Sequence, residues 1–251
     1  MPASRAGDDV ATLRLAITFL TIAPIRVVDR AQSLSRAAGW FPLVGAGIGA
    51  VAGGIGWLAR PALGSTVAAV LTVAALVVST GALHQDGLGD CADAVGARGG
   101  DRNRRLEVMR DPSIGTFGAL ALALWLMLMV AALSGLSRTH AFCAIVVATT
   151  LGRWAALLHA AASAPARHDG LGAGFTVSLW AMIVPTGVAA AAALGIEGPG
   201  RGAAALAAVG AVSAFVTLGA RSLFGGRTGD SLGAAVALAE VAVVLTLLGL
   251  S

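Results

Sequence analysis

The sequence predicts an all-α, polytopic integral membrane protein, and three observations carry that prediction. Apolar residues make up 57% of the 251 and charged residues only 12%, too little polar surface for a water-soluble globule of this size. The apolar residues fall into runs of about eighteen or more, the length a helix needs to cross a bilayer. The basic side chains are arginines without a single lysine, and they collect in alternate connections between those runs.

Residues 10–25 contain Arg14 and close at Pro24, so this first stretch is short for a span and reads as an interfacial or half-inserted helix. It does not look like a cleaved signal peptide: Asp8 and Asp9 precede a short apolar core, and no small-x-small cleavage site follows. About seven transmembrane helices follow, at 39–59, 62–83, 115–136, 140–163, 175–196, 203–220 and 232–250. Gly45, Gly47 and Gly49, then Gly53, Gly54 and Gly56, predict a helix-packing face, since a dinucleotide loop would need a preceding strand. Arg153 and Glu240 fall inside spans, each roughly 12 to 15 Å from the inner end at a 1.5 Å rise. Equal depth permits an ion pair; the alternatives are that each snorkels or lines a wet cavity separately, or that Arg153 reaches a substrate phosphate.

Orientation follows from charge, because positive residues favour cytoplasmic loops. With 84–114 inside, the inner loops hold Arg26, Arg30, Arg36, Arg98, Arg102, Arg104, Arg105, Arg110, Arg167, Arg221 and Arg227, against Arg60, Arg138 and Arg201 outside. The chain then reads as one membrane domain over 1–251, with loops 84–118, 164–174 and 221–231 on the cytoplasmic face. A sequence pI near 10.8 does not imply nucleic acid, because the basic residues lie in separate membrane-surface loops. The lipid bilayer, its anionic headgroups and a phosphorylated substrate are the partners such loops fit. Cys91 lies in an inner loop and Cys143 near the outer end of its span, so ~30 Å of hydrocarbon forbids a disulfide between them.

The densest chemistry is His84-Gln-Asp-Gly-Leu-Gly-Asp-Cys-Ala-Asp93, directly after a long apolar run. On a helix Asp86, Asp90 and Asp93 share one face, being four and three residues apart. Clustered carboxylates repel unless a cation neutralises them, and hard oxygen ligands suit Mg²⁺ or Mn²⁺, which bridge to substrate phosphates. A solvated acidic turn is the plain alternative, and Gly87 and Gly89 weaken the helix, at about 1 kcal/mol each relative to alanine. His84 would point away from that face, as a structural contact or a ligand. The inner face also collects Asp101, Glu107, Asp111, Asp169 and Asp230 among the arginines, the mixture that phosphoryl transfer uses. Asp111-Pro-Ser-Ile-Gly-Thr-Phe-Gly118 and Gly225-Gly-Arg-Thr-Gly-Asp230 would let backbone N–H groups approach an anion at the start of a helix.

Four motifs in order, His84 to Asp93, Arg105 to Gly118, Ala166 to Gly172 and Gly226 to Asp230, resemble those of the cobalamin synthase family, also called adenosylcobinamide-GDP ribazoletransferases. Phe19-Leu-Thr-Ile-Ala-Pro24 resembles the family's N-terminal signature, so the likeness spans nearly the whole chain. Ala94 stands where a glycine is usual and Arg110 where lysine is frequent, and Arg110 keeps the charge. The resemblance implies a Mg²⁺-dependent enzyme of the bacterial cytoplasmic membrane that joins adenosylcobinamide-GDP to α-ribazole or its 5′-phosphate and releases GMP. It implies Asp86, Asp90 and Asp93 as metal ligands. Arg110, Arg227, Thr228 and Arg153 would bind substrate phosphates, with Asp111, Asp230 and His84 as catalytic candidates. Either Asp111 or Asp230 is the general base. A homo-oligomer is compatible with the chain.

A CDP-alcohol phosphatidyltransferase also uses spaced aspartates, but its usual Asp-Gly-x-x-Ala-Arg opening is absent. A transporter places ionisable groups near the bilayer midplane, whereas nearly all acids here lie at one surface. A purely structural subunit leaves the paired acid and arginine motifs unexplained.

Overall fold

The computed structural model describes residues 5–25, 34–97, 99–167 and 174–251, with the side chains of the first helix from Asp8 on. Arg26, Arg30, Arg98, His168 and Asp169 lie outside the described residues. The helices are α1 (Arg5–Leu20), α2 (Leu34–Ala37), α3 (Phe41–Thr80), α4 (Leu83–Gly96), α5 (Arg102–Val108) and α6 (Thr116–Gly135), then α7 (Arg138–Ala162), α8 (Ile183–Phe224) and α9 (Gly229–Gly249). The described residues hold no β-strand, only an isolated parallel bridge between Pro165 and Arg227.

Five of these elements are long and apolar enough to cross a membrane, α3 and α8 with their short leading turns, α6, α7 and α9. As straight rods, the 40 residues of α3 and 42 of α8 would span roughly 60 Å, twice the hydrocarbon thickness. Both are folded. Gly64 (φ 78°, ψ 174°) and Gly198 (φ 80°, ψ 169°) take conformations open to glycine alone. A Cβ on Gly56 would collide with Thr72, sixteen residues on and ~24 Å away in a straight helix, so the limbs of α3 run antiparallel. Gly202 meets Ala193 and Leu194 in the same way. Two hairpins and three single helices give seven apolar limbs among the described residues.

The glycine face of α3 packs on α7: side chains at Gly45, Gly49 and Gly53 would strike the Thr149 carbonyl, the Ile145 carbonyl and the Ile145 side chain. Such backbone-to-backbone approach drives helix association where lipid is as apolar as leucine. Buried α7 and α9 form the centre, and the Trp125 indole of α6 donates to the Ala237 carbonyl at 3.0 Å. The 16-residue α1 does not qualify as a span; Ala16 and Leu20 are buried and Trp40 donates to the Thr12 hydroxyl.

Two expectations shift. Residues 175–179 are not the start of a span, because Phe175 turns into the core and helix resumes only at Trp180. The stretch after Thr80 is not loop but α4 and α5. The described parts of the four motif segments, which for the third are Ala166 and Arg167, gather at one end of the bundle. There Arg102 donates to the Ala166 carbonyl, and Gly87 of α4 lies against the Asp230 backbone of α9, where a Cβ would come within 2.6 Å.

Candidate active site

The acid-rich segment is a regular helix despite its glycines, and Gly87 removes a side chain where two backbones must touch. Gly87 faces Asp230, and Gly233 of α9 faces the Leu83 and His84 carbonyls. This contact sets Asp86 and Asp90 against Asp230, more than 130 residues away in sequence. Burial first, then the charges of Asp86, Asp230 and Asp93, push the Asp90 carboxyl up to about 7. Among the described residues no three acidic, histidine or cysteine side chains converge as direct ligands of one metal ion. Mg²⁺ does not need that: it keeps several waters and takes one or two carboxylates plus substrate phosphate, so an excess of negative charge fits it.

Asp93 is already engaged. Its Oδ2 accepts from the Gly115 N–H at 2.7 Å and its Oδ1 from the Gly118 N–H at 2.8 Å, at the start of α6. Side chains at either glycine would collide with that carboxylate. The anion expected at this glycine-punctuated helix start is therefore the protein's own.

Asp86 and Asp230 line a partly open cavity of about 170 Å³ with His84 and Arg153. His84 is buried, its Nδ1 has no partner, and burial and then the Arg153 guanidinium hold its imidazole well below the usual range. Arg153 and Glu240 are fully buried and paired through Nη1 and Oε1, while Arg153 Nε and Nη2 are unpartnered. The expected intramembrane pair therefore forms. Phe19, Phe41 and Phe175 close one side as a row of near-parallel rings, with centroids 5.7 Å apart at each step.

Asp111 stands apart, exposed, in an open groove of about 480 Å³ shared with Asp93 and Arg104. The Ser113 backbone N–H donates to it at 2.9 Å and holds its carboxyl below the ordinary value. Arg110 is exposed at the end of α5. Arg227 is buried and spends its guanidinium on the carbonyls of Ala160, Ser163 and Phe175, tying the end of α7 to the segment before α8. Thr228 caps α9 reciprocally with Ser231. Both side chains are thus occupied within the fold rather than presented to a phosphate.

Sequence reasoning missed the phenylalanine row and Arg167. The Arg167 charge acts on Asp230 through space while its Nη2 donates to the Leu106 carbonyl at 2.6 Å. The signal for Phe19 lay in the N-terminal signature; nothing local marks Phe41 or Phe175.

Comparison with known proteins adds the family. The chain is 42% identical over 228 residues to the adenosylcobinamide-GDP ribazoletransferase of Azorhizobium caulinodans, covering 86% of this chain and 84% of that protein. The enzymes of that name from Mesorhizobium japonicum and Roseiflexus sp. are each 37% identical, over 95% and 92% of this chain and 92% and 87% of their own. No solved structure matches the chain. The cobalamin-5-phosphate synthase family matches residues 12–248, and the chain belongs to that family.

Proposed function

We propose that this protein joins adenosylcobinamide-GDP to α-ribazole or its 5′-phosphate, releasing GMP and leaving adenosylcobalamin or its 5′-phosphate. Family membership and the names of the relatives support the reaction. The observation that carries it to particular residues is the Asp86–Asp90 row of α4 held against Asp230 of α9 by glycine contacts. An acceptor ribose oxygen attacks the phosphorus nearest the cobinamide. One P–O bond forms as the bond to the bridging oxygen of GMP breaks. GMP leaves with that electron pair, and the hydroxyl proton passes to a carboxylate. Asp230 suits the proton better than Asp111, whose hydrogen bond from Ser113 keeps it a weak base. Asp86 and Asp90 would hold Mg²⁺, whose charge would offset that of the pyrophosphate. Arg110 offers the leaving phosphate a guanidinium, and the Arg167 charge acts on Asp230 through space.

The arginine bias of the loops supports a cytoplasmic site in a bacterial membrane with seven crossings. The test is to incubate the purified, reconstituted protein with adenosylcobinamide-GDP, α-ribazole and Mg²⁺ and to measure GMP. Release that needs all three is expected and stops with EDTA; no release from folded protein overturns the reading.

A further inference from the structure

The cavity beside the acid row is built unlike a phosphate site. Its lining is chiefly apolar, and its one guanidinium is neutralised by Glu240. What it offers a ligand is a flat aromatic wall and buried polar atoms without partners, Arg153 Nε and Nη2 and His84 Nδ1. A buried N–H left unsatisfied costs about 1–3 kcal/mol, so such groups mark a place where something else completes them. Asp86 and Asp230 lie on the same lining, where the reaction's proton acceptor is needed.

We propose that this cavity is the acceptor subsite: it takes the heteroaromatic base of an α-riboside against Phe19, Phe41 and Phe175. The base's free ring nitrogen accepts a hydrogen bond from Arg153 or His84, and its ribose lies toward Asp86 and Asp230. The inference rests on the proposed function and adds the place and the selectivity of the acceptor. A cavity of about 150 Å³ admits a benzene-sized ring, so the 170 Å³ here suits the inner part of a benzimidazole. Guanine, the base of the donor, fits less well: against the phenylalanine rings its N–H groups find no acceptor, and the Asp86 and Asp230 carboxylates on the lining are those the proposed function assigns to metal and proton. A lipid tail would leave the Arg153 donors unmet. Seating the base inside directs the ribose hydroxyl to the carboxylates, which orients the nucleophile without a separate device.

The experiment fills the cavity from Ala156, a buried residue of α7 on its lining. In reconstituted full-length Ala156→Leu, KM for α-ribazole rises by roughly 10-fold or more, as steric misfits of a few methylenes do. KM for adenosylcobinamide-GDP and the thermal midpoint stay near wild type. An unchanged α-ribazole KM in a folded variant overturns the proposal. Should that variant not fold, the wild type decides through its acceptors. kcat/KM falls from the dimethylbenzimidazole α-riboside to benzimidazole to adenine, and a flat series overturns the subsite. Equilibrium binding of radiolabelled α-ribazole without donor separates the two readings. Binding weakened by Ala156→Leu with no GMP ever formed keeps the subsite and removes the function; normal GMP release with the variant's acceptor KM unchanged does the reverse.

Discussion

The two ends of the helix bundle treat charge in opposite ways. At the end away from the motifs, Arg60 donates to the Leu136 carbonyl at 2.6 Å, closing the end of α6. Arg138 donates to the Trp57 carbonyl at 2.7 Å and lies 3.4 Å over its ring, and Arg201 pairs with Glu197 at 3.1 Å. Each cation there meets an acceptor supplied by the fold, with Arg201 Nε and Glu197 Oε1 the atoms of that pair left over. At the motif end burial, and then the charges of three neighbouring carboxylates, push the Asp90 carboxyl up to about 7, and His84 and Arg153 keep donors or acceptors without partners. Matched charge stabilises a fold, whereas mismatched charge costs free energy and persists where a ligand completes it. The comparison can be broken at either end.

The largest effect belongs to the pair beneath the cavity. Arg153→Met leaves Glu240 buried without its partner, an uncompensated charge that costs about 3–5 kcal/mol. The thermal midpoint of the purified protein should fall steeply. Adding Glu240→Leu should restore most of it, because two apolar residues of similar volume replace two desolvated ions. Additive losses in the double variant would mean that the two side chains stabilise the fold independently.

Next come the acids. Asp86→Asn and Asp90→Asn should each lower GMP release by about 100-fold or more, equal to roughly 2.7 kcal/mol of transition-state stabilisation, while the protein still folds. Asp90→Asn should also change stability with a definite sign. Its carboxyl titrates near 7 when folded and near 3.9 when unfolded, so the folded state binds more protons between those values. Wild-type stability therefore falls as pH rises through that window, and the variant gains on it until pH ~7. Because Asp90 is only half-buried, solvent screening keeps the gain to about 1–2 kcal/mol. Parallel pH–stability curves for the two proteins would show that the crowding of charge is not felt there.

Asp93→Asn should behave differently from its neighbours. An amide offers one acceptor where the carboxylate now serves both Gly115 and Gly118, so one backbone N–H at the start of α6 loses its partner. A drop of about 1–2 kcal/mol in stability is expected, and slower amide exchange at Gly118 than in the wild type would contradict the capping role.

Most of this fold was legible because lipid imposes a simple rule: long apolar runs become helices, and the breaks at Arg60-Pro61 and Glu197-Gly-Pro-Gly-Arg201 announced both hairpins. The acid spacing announced one face of α4. What stayed hidden were meetings between distant segments. No local pattern tells that Asp93 turns to α6, that Arg227 ties down Phe175, or that Asp230 sits opposite Asp86. Those follow from which glycines let which backbones touch, a property of pairs of helices. The Arg153–Glu240 pair was the exception, because burial of charge in lipid leaves so few resolutions that depth alone pointed to it.

The smallest effect tests the opposite end. Arg138 is half-buried, and its guanidinium lies over the Trp57 ring while Nε donates to the Trp57 carbonyl. Arg138→Gln removes a cation–π contact at a partly exposed site and one hydrogen bond, each worth about 0.5–1 kcal/mol, and water replaces part of both. The thermal midpoint should fall by a degree or two, and GMP release with both KM values should stay at wild-type levels. The contrast with Asp90→Asn is the point of the measurement. A charge whose partners come from the fold should cost stability and no turnover, and a charge whose neighbours repel it should cost turnover and no stability. If Arg138→Gln lowered kcat several-fold at unchanged midpoint, the two ends would be coupled and the division between them would have to be abandoned.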